Sequence, residues 1–273
     1  MRKDFIVDTG PEDEEAEFVE RYWTENWNRT GGVEAHSRRF TGRLNPFALK
    51  SEWRVMRKFL DLMPRREMLD GGCGTGEWTR HMTALGYPTI GIDLSRETVS
   101  KLREMFPDAR FEVGDIRATN LPDDSFGGYF SWGTFEHFEV GLKPCLTEAY
   151  RVLAPGGLLF LSVPYMHLGL ALGEAFGKLP QPARTPEQRF YQWRLSRRDL
   201  AIELNTAGFE VLSLQPIHRR QGVVRFLHNH LGINYASVFA RALGLTIGTA
   251  LPRALCAHML MGVARKPTGE PPR

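Results

Sequence analysis

Three acids stand at the ends of three short apolar runs, and the first opens onto a glycine-rich turn. Glu67-Met-Leu-Asp-Gly-Gly-Cys-Gly-Thr-Gly76 reads as a strand that ends in Asp70 and passes at once into glycines, with a helix pattern over 77–85. Glycines at such a handover let the backbone approach a ligand, and the helix start offers unpaired N–H groups. Asp70 selects the kind of ligand. An acid at the mouth of the loop repels a phosphate and attracts a cation. Pro88-Thr-Ile-Gly-Ile-Asp93 is a second strand ending in an acid, where a doubly wound sheet would hold a ribose diol. Phe111-Glu-Val-Gly-Asp115-Ile116 is a third; Asp115 could accept from an adenine amino group while Ile116 packs on the ring. Gly76 is followed by Glu77, Trp78 and Thr79, so the third glycine of the dinucleotide fingerprint is missing, which argues against NAD or FAD.

In order and spacing, Asp70, Gly72, Gly74, Gly76, Asp93 and Asp115 resemble the class I S-adenosylmethionine (SAM) methyltransferases. Leu153-Ala-Pro-Gly-Gly157 before an apolar run is similar to that family's loop into its fifth strand, and Phe130-Ser-Trp-Gly-Thr-Phe-Glu-His137 to the end of its fourth. The nearest branch is the small-molecule type 11 group. The resemblance implies an α/β, doubly wound, Rossmann-like seven-stranded mostly parallel sheet, and SAM as cofactor. It implies that Asp70 serves the methionine end, that the backbone at Gly72 and Gly74 approaches the ligand, and that Asp93 takes the ribose hydroxyls. Leu94, Asp115 and Ile116 would hold the adenine, and the Ser131 carbonyl the methionine amino group. Phe126-Gly127-Gly128 departs from the family, which carries Asp after that Phe.

His137 is the candidate general base. Methyl transfer from a sulfonium needs in-line alignment and exclusion of water, and a hydroxyl acceptor must also lose a proton. A capping or packing histidine is the alternative. Glu136-His137 with Gly133 three residues before Glu136 lacks one acid of the Glu-x-x-Glu-His run that holds a divalent ion in some relatives, so no metal is read. Ser131-Trp-Gly-Thr134 is unlike the Asn/Asp-Pro-Pro-aromatic run that grips a flipped base, so a nucleic-acid substrate is not expected. Tyr22, Trp23, Tyr165, His167, Tyr191 and Trp193 are acceptor-pocket candidates, with aromatic packing as the alternative for each. The Phe190–Ser196 pattern resembles type 11 enzymes of surface-polysaccharide pathways, which implies a sugar or lipid-linked glycan acceptor. A SAM-binding protein without catalysis stays open beside an active small-molecule methyltransferase, and a polyamine synthase is a weaker third reading.

These residues need elements to position them. Strands are expected near 67–71, 88–92, 110–113, 127–132, 158–163, 209–214 and 258–264, and helices near 77–85, 95–105, 141–153 and 196–207. Residues 1–10 read as poorly ordered, 12–28 as a helix with an aromatic face, 29–45 as loop and 46–62 as a helix. The expected division is an N-terminal helical cap (1–62), a SAM-binding core (63–164), a lid insert (165–195), and the rest of the core (196–273) with a basic, apolar insert at about 217–256.

Hydrophobic content of 42% is that of an ordinary globular chain. Three cysteines without metal or disulfide spacing suggest a reducing compartment, and the start has no apolar signal core, so a cytoplasmic location is expected. The net charge of +3 hides a split: residues 8–25 are acidic, while 211–269 hold no Asp or Glu but carry seven Arg and Lys. Either the two ends neutralise each other or the tail meets an anionic partner. Residues 231–251, largely apolar with Arg241 as their one charge, admit a buried cap, a homodimer contact or a peripheral contact with an anionic membrane.

Overall fold

The computed structural model describes all residues except 9, 12, 38–49, 177–184, 186, 235–236 and 270–273. The central sheet contains β2 (Met68–Gly71), β3 (Thr89–Asp93), β4 (Arg110–Val113), β5 (Phe126–Trp132), β6 (Leu153–Pro164), β8 (Glu210–Ile217) and β9 (Met259–Arg265). Their order is β4-β3-β2-β5-β6-β9-β8, with β9 antiparallel to both its neighbours and the other pairings parallel. This is the doubly wound seven-stranded arrangement expected. Its switch point lies between β2 and β5, where ligands of such sheets bind beyond the strand ends.

The central strands are apolar throughout because both faces of the sheet are covered. On one face α3 (Ser51–Met56) and α4 (Glu77–Ala84) supply Val55, Met56, Trp78 and Met82 against Phe130, Phe160 and Met261. On the other, α6 (Lys143–Val152) and α8 (Arg197–Thr206) supply Leu146, Ala149, Leu200 and Leu204 against Tyr129, Leu159 and Leu161. Local chemistry sets the helix starts. Ser95 caps α5 (Arg96–Met105) by accepting from Thr98 N, and Ser196 with Asp199 forms a capping box on α8.

Several elements differ from expectation. Residues 1–10 are not simply disordered: β1 (Arg2–Val7) pairs antiparallel with β7 (Gln188–Arg194), inside the segment read as a lid. The lid segment also holds α7 (Leu168–Ala175); its remaining glycine- and proline-rich part falls mostly outside the described residues. α1 (Glu15–Arg29) carries the expected aromatic face, but α2 (Gly32–Ser37) stands in the expected loop. The 46–62 helix is reduced to α3 and a 3-10 turn at Leu60–Leu62, with 46–49 outside the described residues. β6 begins at Leu153, so the Pro-Gly-Gly run is part of the strand. The Gly127 departure has a steric cause: a Cβ there would come 2.2 Å from the Pro64 carbonyl oxygen, where the preceding chain crosses the strand.

The insert after β8 is helical: α9 (Arg219–Leu231), α10 (Val238–Ala250) and α11 (Arg253–Cys256). Gly232 in the left-handed region ends α9, which splits the apolar 231–251 run. No helix of the described residues is long and apolar enough to cross a membrane. The insert has its own small core of Val223, Leu227, Ala240 and Cys256.

Candidate cofactor and acceptor site

Gly72 and Cys73 both donate their backbone N–H to the Ile92 carbonyl, at 2.8 and 2.9 Å, which fixes the turn after β2 over the end of β3. Gly72 (φ +75°) and Gly74 (φ +50°) lie in the left-handed region. There is no space for a side chain at either: an added Cβ would meet Thr134 at 2.5 Å or the Trp27 ring at 2.9 Å. Gly74 N donates to Asp93 Oδ2 at 2.8 Å, and Ser95 N to Asp93 Oδ1 at 3.0 Å. Each Asp93 oxygen keeps a lone pair for a further donor. Burial, together with nearby Glu20, pushes the Asp93 carboxyl up, against the pull of the two backbone donors.

Asp70 sits beneath this turn. It is 2% exposed and accepts from Thr79 Oγ1 of α4 at 2.7 Å. Burial, reinforced by Asp93, pushes its carboxyl up to about 7 against the Thr79 hydrogen bond. A cation nearby would favour the ionised form.

A cleft opens above the switch point. Gly72, Gly74, Asp93, Leu94 and Ile116 line it, as expected from their places at the strand ends. Three expected residues stand elsewhere. Asp70 is under the floor. Asp115 is engaged by Arg117 in a fork, 3.0 Å from Nε and 2.7 Å from Nη2, and it is Gly114 and Ile116 on either side that face the cleft. Ser131 is fully buried and donates from Oγ to the Gly71 carbonyl at 2.7 Å; Trp132, Gly133 and Thr134 after it form the wall.

The sequence reading missed that wall, together with Phe138 and the α1 residues Val19, Glu20 and Trp27. Trp132 follows from strand alternation once β5 is placed, because it is the next residue beyond fully buried Ser131. Its Nε1 is buried and without a hydrogen-bond partner among the described residues, a donor held ready in a ligand wall. The α1 residues could not be found so, since nothing local says that this helix crosses the strand ends. It is held there by Thr24 Oγ1 to Ser95 Oγ (2.7 Å), Glu20 to Arg96 N (3.2 Å) and Glu15 to Arg117 Nη1 (2.8 Å). With Trp23 and Trp27 in place the cleft encloses about 100 Å³, below the roughly 300–1,000 Å³ of small-molecule sites. The α1 residues Val19, Glu20, Trp23 and Trp27 thus close over the strand ends.

The acceptor candidates divide. Tyr22, Trp23 and Tyr191 pack as one aromatic cluster with His137, of which only Trp23 lines the cleft: ring centres lie 5.5 Å apart for Tyr22–Tyr191 and 5.1 Å for both Trp23–His137 and Tyr191–His137. His137, on the 3-10 turn Phe135–His137 after β5, does not line the cleft but packs on Trp23, which does. Its Nδ1 lies 2.7 Å from the Tyr191 carbonyl. A carbonyl only accepts, so Nδ1 carries the proton and Nε2 is the basic nitrogen. Burial pushes the ring down to about 4, so it is neutral at pH 7. Tyr165 lies in the core, and His167 caps α7, accepting from Leu170 N at 3.3 Å. Trp193 faces elsewhere, donating to the Phe138 carbonyl (3.1 Å) beneath Lys3. Beside His137, Glu136 is 1% exposed, with Oε2 unpartnered among the described residues, and burial pushes its carboxyl up to about 8. Among the described residues no group of three or more His, Cys, Asp and Glu side chains is placed to hold a metal ion.

A sheet with this order and a glycine turn below a cleft at its switch point define a class I SAM-dependent methyltransferase fold. Residues 68–157 match the family model "Methyltransferase domain". A "Probable S-adenosylmethionine-dependent methyltransferase" of Mycolicibacterium smegmatis is 27% identical over 167 residues, 61% of each chain. A "Malonyl-[acyl-carrier protein] O-methyltransferase" of Yersinia pestis is 35% identical over 95 residues, 35% of each chain. The chain thus spans less than two thirds of either curated relative. The crystal structure of a SAM-dependent methyltransferase from Mesorhizobium loti superposes with a TM-score of 0.52 at 18% identity, over 80% of this chain and 99% of that one, and shows the shared fold. Residues 68–157 are thus similar to a methyltransferase domain, carried on a sheet with the fold of SAM-dependent methyltransferases.

Proposed function

We propose that this protein moves a methyl group from SAM to a hydroxyl or amine of a small-molecule acceptor. The observation that carries the reading is the cleft at the switch point, where Gly72, Gly74 and Asp93 meet Leu94 and Ile116. The residues fit the cofactor: a cradle that admits no Cβ, an acid with lone pairs to spare, and an orphaned indole donor in the wall. In this reading Asp93 accepts from the ribose hydroxyls, Leu94 and Ile116 sandwich the adenine, and Asp70 lends negative charge under the methionine end. When bound, SAM supplies an electrophilic methyl on a sulfonium. The chain's own part is to exclude water with α1, align the acceptor on the Tyr22–Trp23–Tyr191 cluster, and remove its proton. His137 takes the proton at Nε2, which requires the Trp23 ring to move aside.

The sugar or lipid-linked glycan acceptor implied by the polysaccharide-pathway resemblance has no support in the names of the relatives given above. The alternative, a SAM-binding protein without catalysis, predicts the same cleft. An assay for S-adenosylhomocysteine release over a panel of small hydroxyl and amine acceptors separates them. Release that depends on one acceptor supports the enzyme; cofactor binding with no release on any acceptor favours the regulator. Peripheral contact with a membrane is a second reading, supported by the exposed Phe226, Val238, Leu245 and Ile247 of the insert.

A further inference from the structure

Among the described residues, no ion pair given for the acidic end reaches the basic tail. Asp8 and Asp13 pair with Arg21 and Arg189, and Glu15 with Arg117. In the tail, Arg265 pairs with Glu210 and Lys266 with Asp124. Basic side chains gather in one place. A groove of about 640 Å³ lies between α3, the end of β8, the start of α9, and α10 with α11. Six cationic side chains line it, Arg54, Arg57, Lys58, Arg219, Arg220 and Arg253, and no Asp or Glu does so. Arg57, Lys58, Arg220 and Arg253 have no acidic partner among the described residues. The acid nearest in sequence, Glu52, does not line the groove; it is buried behind it and bonded at 3.0 Å to His218, which does.

The local backbone adds to the imbalance. Arg219 and Arg220 occupy the first turn of α9, the positive end of the helix dipole, and that turn holds no acid and no side-chain cap. Gly248 of α10 packs on the Arg220 backbone, a Cβ there being 3.1 Å from Arg220 Cα, so the start of α9 is seated directly against α10 at the groove. Like charges gathered in one groove repel, and a multiply charged anion relieves several repulsions at once. Arginine forks match phosphate oxygens in pairs. β8 runs in the same direction as β5, so the groove opens at the same edge of the sheet as the cofactor cleft, three strand positions away, or roughly 14 Å at one strand spacing per step.

We propose that this groove is a second ligand site, for a phosphate-bearing molecule with at least two negative charges. It is separate from the cofactor cleft and does not depend on the methyltransferase reading. The phosphate belongs either to a soluble molecule or to a lipid headgroup. The test titrates inorganic pyrophosphate into the full chain by calorimetry, beside the triple variant Arg57→Gln, Arg220→Gln, Arg253→Gln. All three side chains are exposed, so the variant should keep its melting temperature and its affinity for S-adenosylhomocysteine. The expected result is binding to the natural chain that weakens with added salt and falls on the order of 100-fold in the variant. Co-sedimentation with phosphatidylglycerol vesicles, against phosphatidylcholine alone, separates the sources. Vesicle binding that the variant loses assigns the lipid; pyrophosphate binding without vesicle binding assigns the soluble ligand. No pyrophosphate binding by the natural chain below about 10 mM, or equal binding by the variant, overturns the site.

Discussion

Glu136 and His137 are neighbours on one buried turn, and burial drives them in opposite directions. Glu136, ordinarily at 4.5, is pushed up to about 8, so between these values the folded chain holds a proton that the unfolded chain has released. Its contribution to stability is present below pH 4.5 and is lost as pH rises through 8. Glutamine does not titrate, so Glu136→Gln should melt alongside the natural protein at pH 5 and roughly 2–6 °C above it at pH 8. A melting difference that is constant across that range would mean Glu136 is ionised in the fold. His137, lowered from 6.5 to about 4, has the reverse sign: acidification from pH 6.5 to 4 should destabilise the fold through this group. As a general base it is already neutral near pH 7. Turnover should therefore show no histidine inflection between pH 6 and 8, and His137→Ala should cost roughly 10²–10⁴ in turnover while leaving cofactor affinity unchanged. Unaltered turnover assigns His137 to packing. Its identity as a candidate was legible in the sequence, because it follows a strand at the pocket edge. Its tautomer was not, because that depends on the backbone of Tyr191, 54 residues away.

α1 covers the strand ends at which the cleft opens. Polar contacts hold it over the strand ends, and among them Arg117 bonds Glu15 of α1 while also tying Asp115 and resting on the Phe138 ring, 4.3 Å away. Removing such a pair costs about 1 kcal/mol at a partly exposed position. Arg117→Ala should thus raise the open population of α1 by roughly fivefold. Hydrogen exchange over residues 15–29 should quicken by that factor while β5 and β6 stay protected; unchanged exchange would place the restraint elsewhere. The aromatic face of α1 could be read from sequence, since its period is local. What that face covers could not. Asp115 shows the same limit: the strand-end acid was found, but Arg117, two residues on, takes it up. β1 was missed for a related reason. A strand whose partner is β7, at the far end of a long intervening chain, leaves no local signal beyond ordinary alternation.

At the scale of the molecule, the helical insert leaves and rejoins the sheet between two adjacent strands. β8 and β9 are antiparallel neighbours, and Ile217 opposes Met259 where the insert leaves and returns. The insert has its own core, so it is a closed excursion from a hairpin position. Replacing residues 219–257 by an Asn-Gly turn should give a folded protein whose cofactor affinity stays within about threefold of the natural value. A chain that fails to fold would show that the insert is part of the core. A mainly parallel sheet was legible because strand and helix patterns alternate, and the family resemblance implied its seven doubly wound strands. The groove was not, although the bias that builds it was, since composition says that a tail is basic but not which arginines meet.

The account rests on the cleft being a SAM site read through Asp93, and calorimetry tests that directly. S-adenosylhomocysteine is titrated into the natural chain and into Asp93→Ala, with circular dichroism to confirm that both are folded. One equivalent should bind the natural chain, and the variant should bind roughly ten- to hundred-fold more weakly through loss of charged hydrogen bonds to the ribose. No binding to the natural chain, or equal binding to a folded variant, would contradict the account.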